Sequence, residues 1–195
     1  MTVVRPYRGV SADDRRAERR ERLVEAVLNV IGVEGVAGTT VDKVCIDAGL
    51  TKRYFYEGFS DLDALMLEAL DLLFVRVFGR MTEAAAAHNT RSDQVHAIVT
   101  AVIGDLAADP RGARLYVESP GHRALRDRRE DAIVAFTDFV AGQVMAAEAD
   151  DDTVGLRVRV IVAGATDVIT GFLAGTIKAK QEEVVRAIVR LASAP

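Results

Sequence analysis

The sequence predicts an all-α protein of about nine helices. Three observations lead there. Apolar residues recur at three- and four-residue spacing along most of the chain, the period of a helix buried on one face. Helix-capping residues and the punctuation Asp109-Pro110 and Ser119-Pro120-Gly121 fall where those runs begin and end. No stretch shows convincing strand alternation. Half of the 195 residues are hydrophobic, with only four prolines and no tryptophan, a mixture that suits a helical globular chain better than a disordered one.

Residues 1–10 read as a loose basic arm with Arg5 and Arg8, able to reach DNA phosphates. Ser11, with Asp13 and Asp14 behind it, can cap a first helix, whose apolar stripe is Leu23, Val24, Val27, Leu28 and Ile31. The glycines from Gly32 to Gly38 end it. Thr39 or Thr40 caps the second helix, and the hydroxyl and free N–H groups there can also hold a phosphate. Ser60 and Asp61 open a long helix over about 61–86, with Leu65, Met66, Ala69, Leu73, Val77 and Met81 inward. Helices over 93–107 and from Asp109-Pro110 to about Val117 come next. Another is expected over 122–148, its first turns carrying Arg123, Arg126, Arg128 and Arg129 on a solvated face. An acidic loop, Ala149 to Thr153, precedes two last helices over 154–176 and 181–193.

The stretch Thr40–Phe59 organises the rest. Val41, Val44, Cys45 and Ala48 share one helical face. Gly49 then supplies the positive φ that a sharp reversal needs. Thr51 can cap the helix that follows, with Phe55 and Phe59 inward and Lys52, Arg53, Tyr54 and Tyr56 outward. Two short helices about a glycine turn make a helix-turn-helix, whose second helix can lie in the DNA major groove.

Charge fits that division. The net charge is −4, but residues 1–22 hold seven arginines against four acids, and residues 61–195 hold 15 basic against 20 acidic residues. A DNA-facing end and a solvated body carry charge in this way. The single cysteine, Cys45, makes no intrachain disulfide and reads as a small buried core residue. The first residues have no apolar stretch of signal-peptide type, so a cytoplasmic protein is expected. Val160–Ile177 is long and apolar, but its glycines and threonines favour a buried helix over a membrane span. His88, His96 and His122 lack metal-ligand spacing, and no G-x-S-x-G elbow or phosphate-cradling glycine loop occurs. No metal, cofactor or catalytic residue is therefore expected.

From Arg22 to about Leu70 the chain resembles the TetR family of bacterial transcriptional regulators. The resemblance rests on an apolar first helix, the G-x-x-x-T-T-V entry Gly35–Val41, the A-G-L-T-K turn Ala48–Lys52, and the F-Y-x-x-F close Phe55–Phe59. Beyond Leu70 only helix number, length and order match. The resemblance implies a helix-turn-helix domain over 11–60 and a helical ligand-binding and dimerisation domain over 61–195. It also implies a homodimer on a pseudo-palindromic DNA operator, most simply a repressor released by a small-molecule effector. Thr51 and Lys52 would contact phosphates, Arg53 and Tyr54 would face base edges, and Tyr56 and Thr40 would bond phosphates. Two positions depart from the family pattern. Arg53 stands where many members have glycine, and Leu62 where many have a phosphate-binding lysine.

In the body, Phe74, Phe78, Met81, His96, Tyr116, Phe136, Phe139 and Phe172 are candidates to line a ligand cavity. Asp167, mid-helix in an apolar run, could bind a ligand's cation, bond across a dimer seam or reach solvent. The small-residue stripe Gly164, Val168, Gly171 and Gly175, with Val184 and Ile188 of the last helix, is the expected helix-helix interface between subunits. An activator with the same DNA head, or an all-helical enzyme that merely resembles a helix-turn-helix, remain alternatives.

Overall fold

Local side-chain chemistry sets most helix ends in the computed structural model, which describes residues 11–144 and 153–193. The basic arm over 1–10 and most of the acidic loop lie outside those residues. Helix α1 (Ala12–Glu34) opens on a reciprocal box: the Ser11 hydroxyl accepts from the Asp14 N–H, and the Asp14 carboxylate accepts from the Ser11 N–H. It stops at Gly35, where φ is +78°. Thr40 caps α2 (Val41–Ala48), its hydroxyl accepting from the Lys43 N–H at 3.3 Å. Thr39 turns inward instead, buried and bonded to the Gly35 carbonyl. Gly49 is left-handed, φ +61°, and redirects the chain into α3 (Lys52–Gly58). Asp61 caps α4 (Leu62–Ala86) through the Ala64 N–H, and Thr90 caps α5 (Arg91–Ala108) through the Asp93 N–H. Asp109 and Pro110 start α6 (Pro110–Glu118) as expected. The remaining helices are α7 (Arg123–Phe139), α8 (Val154–Leu173) and α9 (Gln181–Ala192).

Three boundaries differ from expectation. Thr51 precedes α3 but makes no side-chain cap bond. Helix α7 does not continue evenly, for its last described turn, Val140–Val144, widens to π-helical geometry. Helix α8 ends at Leu173, because Gly175 takes φ +70° and the N–H groups of Thr176 and Ile177 both turn back to the Gly171 carbonyl.

Helices α1–α3 form a head in which α1 packs on α2 and α3 and, on its other side, on α4 and α6. Helix α4 spans roughly 37 Å at 1.5 Å per residue. It leaves the head and runs along α5, which also touches α6, α8 and α9. One hydrophobic core continues through all of this, from Leu23, Val27 and Phe55 in the head to Leu70, Ile103, Leu125 and Ile188 in the body.

The last helix corrects part of the interface expectation. Val184 and Ile188 are buried within this chain's own core, so they are not free to meet a second subunit. Gly171 has an internal reason to be small: a Cβ there would lie 2.8 Å from Ile177 Cδ1. Gly175 is required by its backbone conformation. Gly164 is exposed with open space around it, and Val168 is half-buried. No helix among the described residues is long and apolar enough to cross a membrane.

Candidate nucleic-acid interface and the cavity behind it

Seven residues are too few for a helix to persist alone. Tertiary packing therefore holds α3, through the fully buried Phe55 and nearly buried Phe59, whose rings lie 6.1 Å apart. Two α1 arginines fix the ends of the short helices. Arg20 donates to the Gly58 carbonyl at 2.6 Å, bonds Glu68 and lies over the Phe59 ring, while Arg22 bonds the Ala48 carbonyl. Cations at helix C-termini complement the helix dipole. Part of the N-terminal arginine excess is thus structural.

With that back sealed, Thr51, Lys52, Arg53, Tyr54 and Tyr56 all face solvent, and Thr40 lies at the entry to α2. The structure brings these six candidates to one end of the head. Several are held by acidic or aromatic neighbours. Arg53 Nε bonds Glu57 at 3.1 Å with 83% of its side chain exposed, and Arg19 stacks 4.8 Å over Tyr54. Lys52 meets Asp42 at 2.5 Å, and that hydrogen bond and charge hold its ammonium above the ordinary lysine range. Exposed pairs of this kind contribute little, so a polyanion can replace the carboxylates. Leu62, at the first position of α4, is half-buried against the core. Its role is packing, which accounts for an apolar residue there. Cys45 is buried, and burial and the Asp42 charge push its thiol up despite Lys52, which argues against a reactive thiolate.

Behind the head, α4, α5, α6, α7, α8 and α9 line a partly open cavity of about 130 Å³. Phe74, Phe78, Tyr116 and Phe136 line it, with an aliphatic wall that includes Val99, Val102 and Ile169. Five expected members do not: His96, Asp167, Met81, Phe139 and Phe172, the last lying beside α6 with Leu173. His96 is exposed, one residue beyond the inward Val95 on α5. Asp167 is also exposed, on the side of α8 opposite Val158, Val162 and Ile169. Solvent hydrates both side chains, which removes the cost of burying them. Met81 is fully buried core, and Phe139 stacks edge-on with Phe78 at 5.4 Å.

Sequence reasoning missed the polar residues that matter most here. Of the four arginines assigned to a solvated face, Arg128 bonds Asp71 and lies over Phe74. Arg129 stacks 4.7 Å over Tyr116 and reaches its hydroxyl at 3.3 Å. The signal was present: Arg129 falls at helical spacing with Leu125, Ala132 and Phe136. On α6, Glu118 accepts the Val36 N–H at 2.7 Å, and Arg114 bonds both Glu118 and the Gly32 carbonyl. Arg111 joins Asp109 to Glu25 and Asn29 of α1. One face of α6 therefore walls the cavity while the other grips the head.

No protein-family model and no curated protein matches the chain; its likeness is to solved structures. The multidrug binding protein EbrR, solved in complex with imidazole, superposes with a TM-score of 0.67 at 22% identity, covering 91% of this chain and 96% of that one. The regulator FadR from Bacillus subtilis, solved with stearoyl-CoA, gives a TM-score of 0.73 at 15% identity over 88% and 96% of the two chains. A TetR-like transcriptional regulator from Rhodococcus sp. RHA1 gives 0.67 at 15% identity over 90% and 94%. The chain has the TetR-regulator fold. In that fold α1–α3 make the head, and α4–α9 form the body that surrounds the cavity.

Proposed function

We propose that this chain is a cytoplasmic, ligand-responsive transcriptional regulator of the TetR family, a repressor that binds a pseudo-palindromic operator as a homodimer and is released by a small-molecule effector. It acts by binding, without catalysis. The observation that carries this reading is the outward face of α3, where Lys52, Arg53, Tyr54 and Tyr56 stand exposed over a back sealed by Phe55 and Phe59. Arg53 is suited to a bidentate bond with guanine O6 and N7. Lys52, Tyr56, Thr51 and Thr40 supply phosphate contacts that orient the helix without reading sequence.

A two-fold dimer places two such helices about one DNA turn, ~34–36 Å, apart. The apolar outer face of α8 suits the dimer seam: Leu156 and Val160 are 67% and 68% exposed, and Gly164 follows one turn on. An effector in the cavity acts on Tyr116 and so on α6, whose other face holds the loop at Gly32–Val36. A coupling of about 1–3 kcal/mol between the two sites suffices for release. The small molecules bound in the two similar structures, imidazole and stearoyl-CoA, support an effector role for the body.

The test is a mobility shift at low salt with DNA from upstream of the protein's own gene. The wild type should shift it, and Arg53→Ala or Tyr54→Ala should weaken binding about 5- to 150-fold, the equivalent of ~1–3 kcal/mol. No shift by the wild type, or undiminished binding by both variants, overturns the assignment.

A further inference from the structure

The cavity has a one-sided charge environment. None of the residues that line it is acidic or basic, and the side chains bearing polar groups are Tyr116 and Thr166. Arg129 stands one hydrogen bond behind Tyr116 and two behind the backbone of Thr166. Its Nη2 is 3.3 Å from the Tyr116 hydroxyl and 3.1 Å from Thr170 Oγ1, and the Thr170 hydroxyl in turn donates to the Thr166 carbonyl at 2.7 Å. The guanidinium stacks on the Tyr116 ring, and its Nε is buried without a hydrogen-bond partner. Neighbouring arginines have carboxylates, Arg128 with Asp71 and Arg114 with Glu118. Arg129 belongs to no ion pair within 4.0 Å among the described residues.

We infer that the cavity takes an apolar monocarboxylate, its body among Phe74, Phe136 and the aliphatic wall and its carboxylate at the Tyr116 hydroxyl, with the Arg129 guanidinium directly behind that hydroxyl. The inference rests on the effector role proposed above for this cavity. Three ligand classes can be compared on the same geometry. A cation finds no counter-charge in the lining and meets Arg129. A neutral apolar molecule fills the space but leaves the guanidinium unpaired. A carboxylate accepts from the Tyr116 hydroxyl, and the guanidinium that donates to that hydroxyl from behind favours the negative charge. The cavity's volume suits an apolar body of about one ring or a short chain, since a dry cavity of ~150 Å³ holds one benzene.

The experiment compares cyclohexanecarboxylate, cyclohexylmethanol and cyclohexylmethylammonium by isothermal titration calorimetry with the full chain at pH 7.5. The carboxylate should bind at least tenfold more tightly than the alcohol, and the ammonium more weakly still. Arg129→Gln should abolish the preference for carboxylate over alcohol while leaving alcohol binding within about threefold, and Arg129→Lys should keep part of it. Far-UV circular dichroism confirms that each variant is folded. Equal wild-type affinity for carboxylate and alcohol overturns the inference and needs no variant. So does an unchanged ratio in folded Arg129→Gln. The mobility shift separates this from the regulator reading. Carboxylate binding through Arg129 without any DNA binding sinks the regulator and leaves the ligand class. DNA binding without a carboxylate preference does the reverse.

Discussion

Glu118 ties the body to the loop that enters α2. Burial alone raises its carboxyl pKa, but the Arg114 guanidinium and the Val36 N–H outweigh that and hold it below the usual glutamate value of 4.5. A depressed carboxylate stabilises the fold above its unfolded pKa, and that contribution is lost as pH falls through the folded value. Glu118→Gln should therefore cost about 1 kcal/mol at pH 7, an amount reduced from a buried charged bond because the group is one-third exposed. Urea unfolding at stepped pH should show the gap between wild type and variant narrowing below pH 4.5. A gap that stays constant until the wild type itself acid-unfolds would sink this account. The sequence did not reveal Glu118, because its partner Val36 lies 82 residues away. Thr40, Asp61 and Asp109 were readable as caps because each bonds a neighbour two or three residues on.

At the level of elements, the turn between α2 and α3 carries the clearest local requirement. Gly49 sits at φ +61°, and its N–H and that of Leu50 return to the Ile46 and Cys45 carbonyls. Gly49→Ala should cost about 1 kcal/mol, since a Cβ disfavours the left-handed region. For a chain of this size that is a fall of about 2–4 °C in Tm. The nearest obstacle to the new Cβ is the flexible end of Arg22 at 3.3 Å, so an unchanged melting temperature would mean that the turn tolerates alanine by another backbone route. Periodicity located α2, α4, α5 and α6 well, for each has a clear stripe and a cap. It did less well where two faces of one helix compete. Asp167 lies opposite the inward residues of α8, a helical-wheel fact that its apolar neighbours in sequence conceal. Arg129 went unrecognised for the opposite reason: three other arginines share its helix, and its partners Tyr116 and Thr170 lie on α6 and α8, distant in sequence.

For the whole molecule, the proposed dimer rests chiefly on the outer face of α8, since Val184 and Ile188 of α9 are committed to the core, and Leu191 is the large apolar side chain that α9 leaves exposed. Val160→Asp should leave the secondary structure intact and give a monomer by light scattering at micromolar concentration, where the wild type gives a dimer. A dimeric Val160→Asp protein would place the seam elsewhere. Gly171→Leu is a poor substitute, because its side chain would strike Ile177 of the same chain. The uninterrupted core bears on a different matter, that of exchanging parts between proteins. A boundary near residue 60 follows the chain's chemistry, but it cuts through shared packing: α1 lies against both α4 and α6, Arg20 reaches Glu68, and Glu118 reaches Val36. A chimera that keeps residues 11–60 and takes its body from elsewhere would lose these ties, together with those of Glu25, Asn29 and Gly32 to α6. Retargeting this protein to a new operator therefore calls for changes confined to the solvent side of α3, or for a transplant that carries the matching faces of α4 and α6 along with the head.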